Sequence, residues 1–90
     1  MISKKDRLTI VSIATQYNVK RVLLFGSNAL SRSKEGNDID LAVEGVRDED
    51  FFKFYGELLF SLKKPVDLID LSLKNKFNHL VRREGIPLYG

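Results

Sequence analysis

The chain contains no cysteine and a single histidine, His79. The first absence excludes a disulfide framework and any thiolate metal site, and the second removes the paired imidazoles on which most zinc centres depend. No stretch approaches the roughly 20 consecutive apolar residues of a membrane span. The first residues, Met1-Ile2-Ser3-Lys4-Lys5-Asp6-Arg7, run into an interrupted apolar pattern rather than the compact apolar block of a secretory leader. A cytoplasmic location with no membrane partner is the expectation. Nor does one sign of charge dominate. Fifteen Lys and Arg against 12 Asp and Glu give +3 with His79 neutral, a mild excess that suits phosphate-bearing ligands without demonstrating them.

What is present is the composition of an ordinary globular protein, 43% hydrophobic and 30% charged over 90 residues. Two domains would leave each half below the size at which a hydrophobic core sustains itself, so residues 1–90 are expected to form one domain. A chain of this length buries roughly 60 to 65% of its unfolded surface, a real but thin core. Such a domain is often one part of a larger assembly.

The pattern along the chain predicts helix, strand, strand, helix, strand, helix. From Leu8 to Tyr17 the apolar residues include an i, i+3, i+4, i+7 series beginning at Ile10, with Ser3 or Asp6 as the candidate cap and Asn18 as the end. Arg21 to Phe25 is a short apolar run stopped by Gly26-Ser27 and reads as a buried strand. Asn28 to Asn37 is small and polar, a turn of helix followed by a loop. Asp38 to Glu44 alternates with period two, putting Ile39, Leu41 and Val43 on one face and Asp38, Asp40 and Ala42 on the other. Asp48 is the expected cap of a helix carrying Phe51, Tyr55, Leu58, Leu59 and Leu62. Pro65 precedes a third strand, Val66 to Leu71, and Leu73, Phe77, Leu80 and Val81 mark a last helix closing near Gly85. The result is an α/β (α+β) fold, a small mixed sheet flanked by helices, with the direction of the first two strands left open by a ten-residue loop.

Two carboxylates one residue apart on a strand share a face, where like charges repel unless a cation sits between them. Oxygen ligands without His or Cys favour Mg²⁺, with Mn²⁺ as the alternative. Asp67 on a neighbouring strand is placed to bring a third carboxylate, and three that converge can hold two metals about 3.5 to 4 Å apart for phosphoryl or nucleotidyl transfer. By alternation Asp67 is preferred to Asp70, which reads as a polar strand end or a cap for the last helix. Gly26 lets backbone N–H groups approach a phosphate closely, and Ser27 adds a hydroxyl. Together these features imply a nucleoside triphosphate with a divalent cation.

Gly26-Ser27, ten intervening residues and Asp38-Ile39-Asp40 match the G-S-x10-D-x-D signature of the DNA polymerase β-like nucleotidyltransferases, and the short chain resembles the minimal nucleotidyltransferase (MNT) branch. Val22-Leu23-Leu24-Phe25, Val66-Asp67-Leu68-Ile69-Asp70-Leu71 and Glu84-Gly85-Ile86-Pro87-Leu88-Tyr89 look like that branch too. The resemblance implies the polymerase β-like palm fold, with Asp38, Asp40 and Asp67 as catalytic metal ligands for Mg²⁺ and Gly26 and Ser27 as triphosphate contacts. It further implies transfer of AMP from ATP to a hydroxyl, commonly a tyrosine on a helical HEPN ribonuclease toxin that the MNT protein neutralises as antitoxin. The family often carries Arg at the position of Asn28 and Arg-Gly at Leu30-Ser31, so cationic help to the triphosphate is thinner here, with Arg32 and Lys34 as candidate substitutes.

Other residues read more plainly. His79, without a partner imidazole, is expected at the surface or partly packed. Lys63-Lys64, Lys74, Lys76, Arg82 and Arg83 form no dense block, so a solvated face is expected rather than direct nucleic-acid binding. Phe51, Phe52, Phe54, Tyr55 and Phe60 crowd one helix on more than one face, which predicts that Phe52 or Phe54 projects outward toward a partner or a second copy. The rival to an enzyme is therefore a binding module that neutralises a partner through this aromatic helix without turnover.

Overall fold

In the computed structural model, residues 2–26 and 38–90 are described. Ser27, the loop from Asn28 to Asn37 and the candidate substitutes Arg32 and Lys34 lie outside them. The described elements are α1 (Lys4–Gln16), β1 (Arg21–Phe25), β2 (Ile39–Glu44), α2 (Phe51–Leu62), β3 (Val66–Asp70), α3 (Lys76–Glu84) and β4 (Ile86–Tyr89). The strands form one mixed sheet in the order β3-β2-β1-β4. β1 is antiparallel to both β2 and β4, and β2 is parallel to β3 through the α2 crossover.

Each end of α1 is set by local chemistry. The Asp6 N–H donates to Ser3 Oγ at 3.1 Å, so Ser3 is the cap. The Asp6 carboxylate instead accepts from Lys64 Nζ at 2.7 Å, tying α1 to the end of α2. At the other end Asn18 takes φ 56°. Its N–H donates to the Thr15 carbonyl while Val19 N–H reaches Ala14, which satisfies carbonyls the helix would leave orphaned.

The two sheet faces are unequal. Val22 and Leu24 of β1, with Ile39, Leu41 and Val43 of β2, meet Ile10, Ile13 and Ala14 of α1 and Phe54, Leu58 and Leu62 of α2 in the larger core. A smaller cluster on the opposite face joins Leu23, Ala42, Leu71 and Val81 of α3. Phe54 is therefore not an outward aromatic. It is fully buried, edge-to-face with Tyr17 at 5.5 Å, because the stripe Phe54-Leu58-Leu62 faces α1 and the sheet. Phe52 and Phe60 are the exposed ones, at 79% and 81%.

Phe52 thus meets the expectation, and three others change. Asp48 does not cap α2: Asp48–Asp50 forms a single 3₁₀ turn closed by its own backbone, Asp50 N–H to Arg47 O at 2.9 Å, and no side chain caps the helix that follows. Leu73 lies before α3, not in it, and Asn75 is that helix's cap, its side chain accepting from Asn78 N–H at 2.8 Å. The last residues add a strand. Among the described residues β4 pairs only with β1, so Pro87 sits on a sheet edge, where its missing N–H costs little.

Asn78 is buried, and its side-chain amide donates to the Asp70 carbonyl at 3.1 Å and the Leu73 carbonyl at 2.6 Å. These bonds fix the connection from β3 to α3. Asn78→Ala removes the donor from two part-buried hydrogen bonds and is expected to cost about 1–2 kcal/mol. A urea melt checks this: the midpoint should fall while the m-value stays unchanged.

Candidate functional site

The site begins where β1 ends. Antiparallel register sets Phe25 directly opposite Asp40, and Gly26 follows in the left-handed region at φ 80°. A Cβ on Gly26 would lie 3.0 Å from Asp40 Cγ and closer still to its Oδ2. The bend thus demands glycine twice over, once for the dihedral and once because the Asp40 carboxylate lies against it.

Parallel register between β2 and β3 pairs Asp40 with Asp67, so neighbouring strands point these two carboxylates to one face. Asp38 precedes Asp40 by two residues, at the exposed entry to β2. Asp40 is partly buried, and Asp67 is exposed. Desolvation, then the charge of Asp67, a side-chain hydrogen bond with Asp67 and the charge of Asp38 hold the Asp40 carboxyl above its ordinary range. Among the described residues no group of three His, Cys, Asp or Glu side chains already stands in coordinating geometry. The paired carboxylates are nevertheless the donor set a hard divalent cation takes, and their mutual repulsion is what such a cation relieves.

Asp70 pairs with Val43 and belongs to the other face by alternation. Its carboxylate accepts from Ser72 N–H at 2.9 Å, which makes it a strand-end turn residue. On the site face, α3 packs through Val81, and Phe77 meets Phe25 edge-to-face at 5.9 Å. Beside Gly26, Phe25, Phe77, Leu80, Val81 and Glu84 line a cavity of about 290 Å³. The sequence pattern used Phe77 and Leu80 only to mark the last helix, and they are 52% and 45% exposed. The available signal was the brevity of α3, whose apolar stripe exceeds what one small sheet face covers.

The remaining charged cluster is structural. Glu44 meets Lys20, Arg21 and Arg82, which hold its carboxyl below the ordinary range, and Arg82 also donates to the Leu71 carbonyl at 2.8 Å. His79 is exposed. Among the described residues no helix is long and apolar enough to cross a membrane.

The chain is similar to known proteins over most of its length. A family profile described as polymerase beta, nucleotidyltransferase matches residues 9–90. A Methanocaldococcus jannaschii protein provisionally named a protein adenylyltransferase is 40% identical over 60 residues, 66% of this chain and 69% of that protein. A solved structure provisionally described as a minimal nucleotidyltransferase superposes with a TM-score of 0.76 at 28% identity, covering 93% of this chain and 90% of the other. A chain of the Shewanella oneidensis complex of a tri-AMPylated HEPN toxin with its MNT antitoxin shares the fold, with a TM-score of 0.74 at 22% identity over 99% of this chain and 73% of that one. The mixed sheet, the glycine bend against a strand-borne carboxylate and the profile match converge, and this chain belongs to the polymerase β nucleotidyltransferase family.

Proposed function

We propose that the protein transfers a nucleoside monophosphate, AMP from ATP, to a hydroxyl of a partner protein, and that the partner is a HEPN-type helical toxin. The observation that carries the reading is the in-register pairing of Asp40 with Asp67 against Gly26. The provisional name of the M. jannaschii relative and the AMPylated HEPN toxin in the S. oneidensis complex support the nucleotide and the partner.

Asp38, Asp40 and Asp67 are the residues that would hold Mg²⁺, two ions in the full arrangement or Mn²⁺ in their place. When bound, the metal supplies positive charge to the phosphate oxygens as negative charge develops there. Gly26 and Ser27 are assigned to the β and γ phosphates, with Gly26 offering backbone where a side chain has no room. Asp67, the more exposed partner of the pair, orients the acceptor hydroxyl and takes its proton as the oxygen attacks the α phosphorus. The bond from the α phosphorus to the bridging oxygen breaks, and pyrophosphate leaves in line with the attack.

Labelled ATP, Mg²⁺ and the protein encoded beside this one should yield a labelled partner, and Asp38→Ala should remove the label. No transfer to any partner with any nucleotide would refute the proposal. The exposed Phe52 and Phe60 favour a second reading, neutralisation by binding alone. Neutralisation that survives Asp38→Ala and Asp40→Ala together selects that reading.

A further inference from the structure

We propose that the cavity between the end of β1 and α3 is the base subsite for the donor nucleotide, and that Phe77 and Glu84 select an amino-bearing purine. The inference deepens the nucleotidyltransferase reading and rests on it.

Gly26 belongs to both places. It lies against the Asp40 carboxylate and also forms part of the cavity wall. A nucleotide whose phosphates follow the Gly26 backbone therefore has an apolar recess directly beside it. The larger groove along α1, lined by Leu8, Ser12 and Gln16, belongs to the helical layer on the opposite sheet face from the carboxylates.

The lining suits an aromatic heterocycle. Phe25 and Phe77 meet edge-to-face with an interplanar angle of 80°, so they present surfaces in two orientations, and Leu80 adds an aliphatic wall. Phe77 and Leu80 are half exposed although they sit on a helix packed against the sheet. A planar base inserted here covers both. Stacking on an aromatic ring works for any base and supplies affinity without discrimination.

Discrimination comes from Glu84. It is the one ionisable side chain among the described lining residues, and an ionised carboxylate only accepts hydrogen bonds. Its contact with Arg83 Nη2 is 3.5 Å long, and both side chains are largely exposed, a pair that exchanges readily for a ligand donor. The 6-amino group of adenine donates to such a carboxylate. The 6-oxo group of hypoxanthine sets acceptor against acceptor at that position and leaves only the ring N1–H to donate, and uracil likewise flanks its N3–H with two carbonyls.

Calorimetric titration of the full chain in Mg²⁺ with AMP-PNP, inosine triphosphate and inorganic tripolyphosphate tests the assignment. Wild type should bind AMP-PNP about 10-fold more tightly than inosine triphosphate, the range set by one donor facing a dedicated acceptor. Phe77→Ala should weaken AMP-PNP about 10-fold or more through lost stacking, with tripolyphosphate unchanged. Glu84→Gln, whose amide offers either an acceptor or a donor, should bring the two nucleotides within about 3-fold of each other. Unaltered nucleotide affinities in both variants would overturn the subsite. So would a parallel loss of tripolyphosphate in Phe77→Ala, or a raised KM for the acceptor protein with AMP-PNP binding intact, which would give the cavity to the acceptor. A wild type that binds neither AMP-PNP nor tripolyphosphate would overturn the nucleotidyltransferase reading itself, and the subsite with it.

Discussion

Asp40→Asn should lower nucleotidyl transfer by at least about 10²- to 10³-fold, the scale for removing one preorganised electrostatic group, and should at the same time make the metal-free fold more stable. The two effects share a cause. Asp40 is partly desolvated near the start of β2, beside the charge of Asp67 and near that of Asp38, so its ionised form is disfavoured in the folded chain. Asparagine removes that charge and keeps the shape, and its amide can donate to the Asp67 carboxylate, as the neutral acid does. The gain is of order 1 kcal/mol once solvent screening is allowed for, or about 4–8 °C in a domain of this size.

The sign of the pH dependence follows from the direction of the shift. A carboxyl raised in the folded state binds its proton more tightly there than in the unfolded chain, so the native state carries the excess protons between the two pKa values. Metal-free stability therefore falls as pH rises from the ordinary Asp range through the raised value of Asp40, and the whole penalty is present only above that value. The difference in Tm between Asp40→Asn and wild type should be smallest near pH 4 and grow as pH rises. Mg²⁺ should raise the Tm of wild type and leave that of Asp40→Asn nearly unmoved. A variant less stable than wild type without metal at pH 7 would contradict this account of the corner.

That corner was legible in the sequence because every step needed only local information. Alternation placed Asp38 and Asp40 on one face and separated Asp67 from Asp70, and the apolar run from Arg21 to Phe25 ended at the residue where β1 ends. What escaped depended on contacts between distant segments. β4 is four residues long, contains Pro87 and exists because β1 offers it an edge, so its own residues carry no strand signal. The choice between Phe52 and Phe54 was decided by where α1 crosses α2 and brings Tyr17 onto Phe54. A ten-residue loop left the direction of β1 against β2 open, and the antiparallel answer is what sets Phe25 and Gly26 beside Asp40. The cavity under α3 was missed for the same reason: periodicity identifies an apolar helix face but not how much of it the sheet covers.

Gly26→Ala should damage fold and site together, and the coupling between the two can be measured. The left-handed dihedral at position 26 costs a non-glycine residue about 1–2 kcal/mol. The new methyl adds overpacking, about 1–3 kcal/mol where a neighbour must be displaced. That neighbour is the Asp40 side chain, whose Cγ would stand 3.0 Å away and whose Cβ would stand 3.3 Å away. Moving Asp40 aside disturbs its contact with Asp67, the pair proposed to hold the metal. Transfer should drop by about 10² or more from misplacement alone, measured below the variant's lowered melting temperature. In an Asp40→Ala background the two nearest atoms, Oδ2 and Cγ, are gone, and Gly26→Ala should then cost little beyond the dihedral strain. A double-mutant cycle should show a coupling of about 1–2 kcal/mol between positions 26 and 40. Strict additivity would mean that the glycine is required for its dihedral alone, and that its approach to Asp40 plays no part in shaping the site.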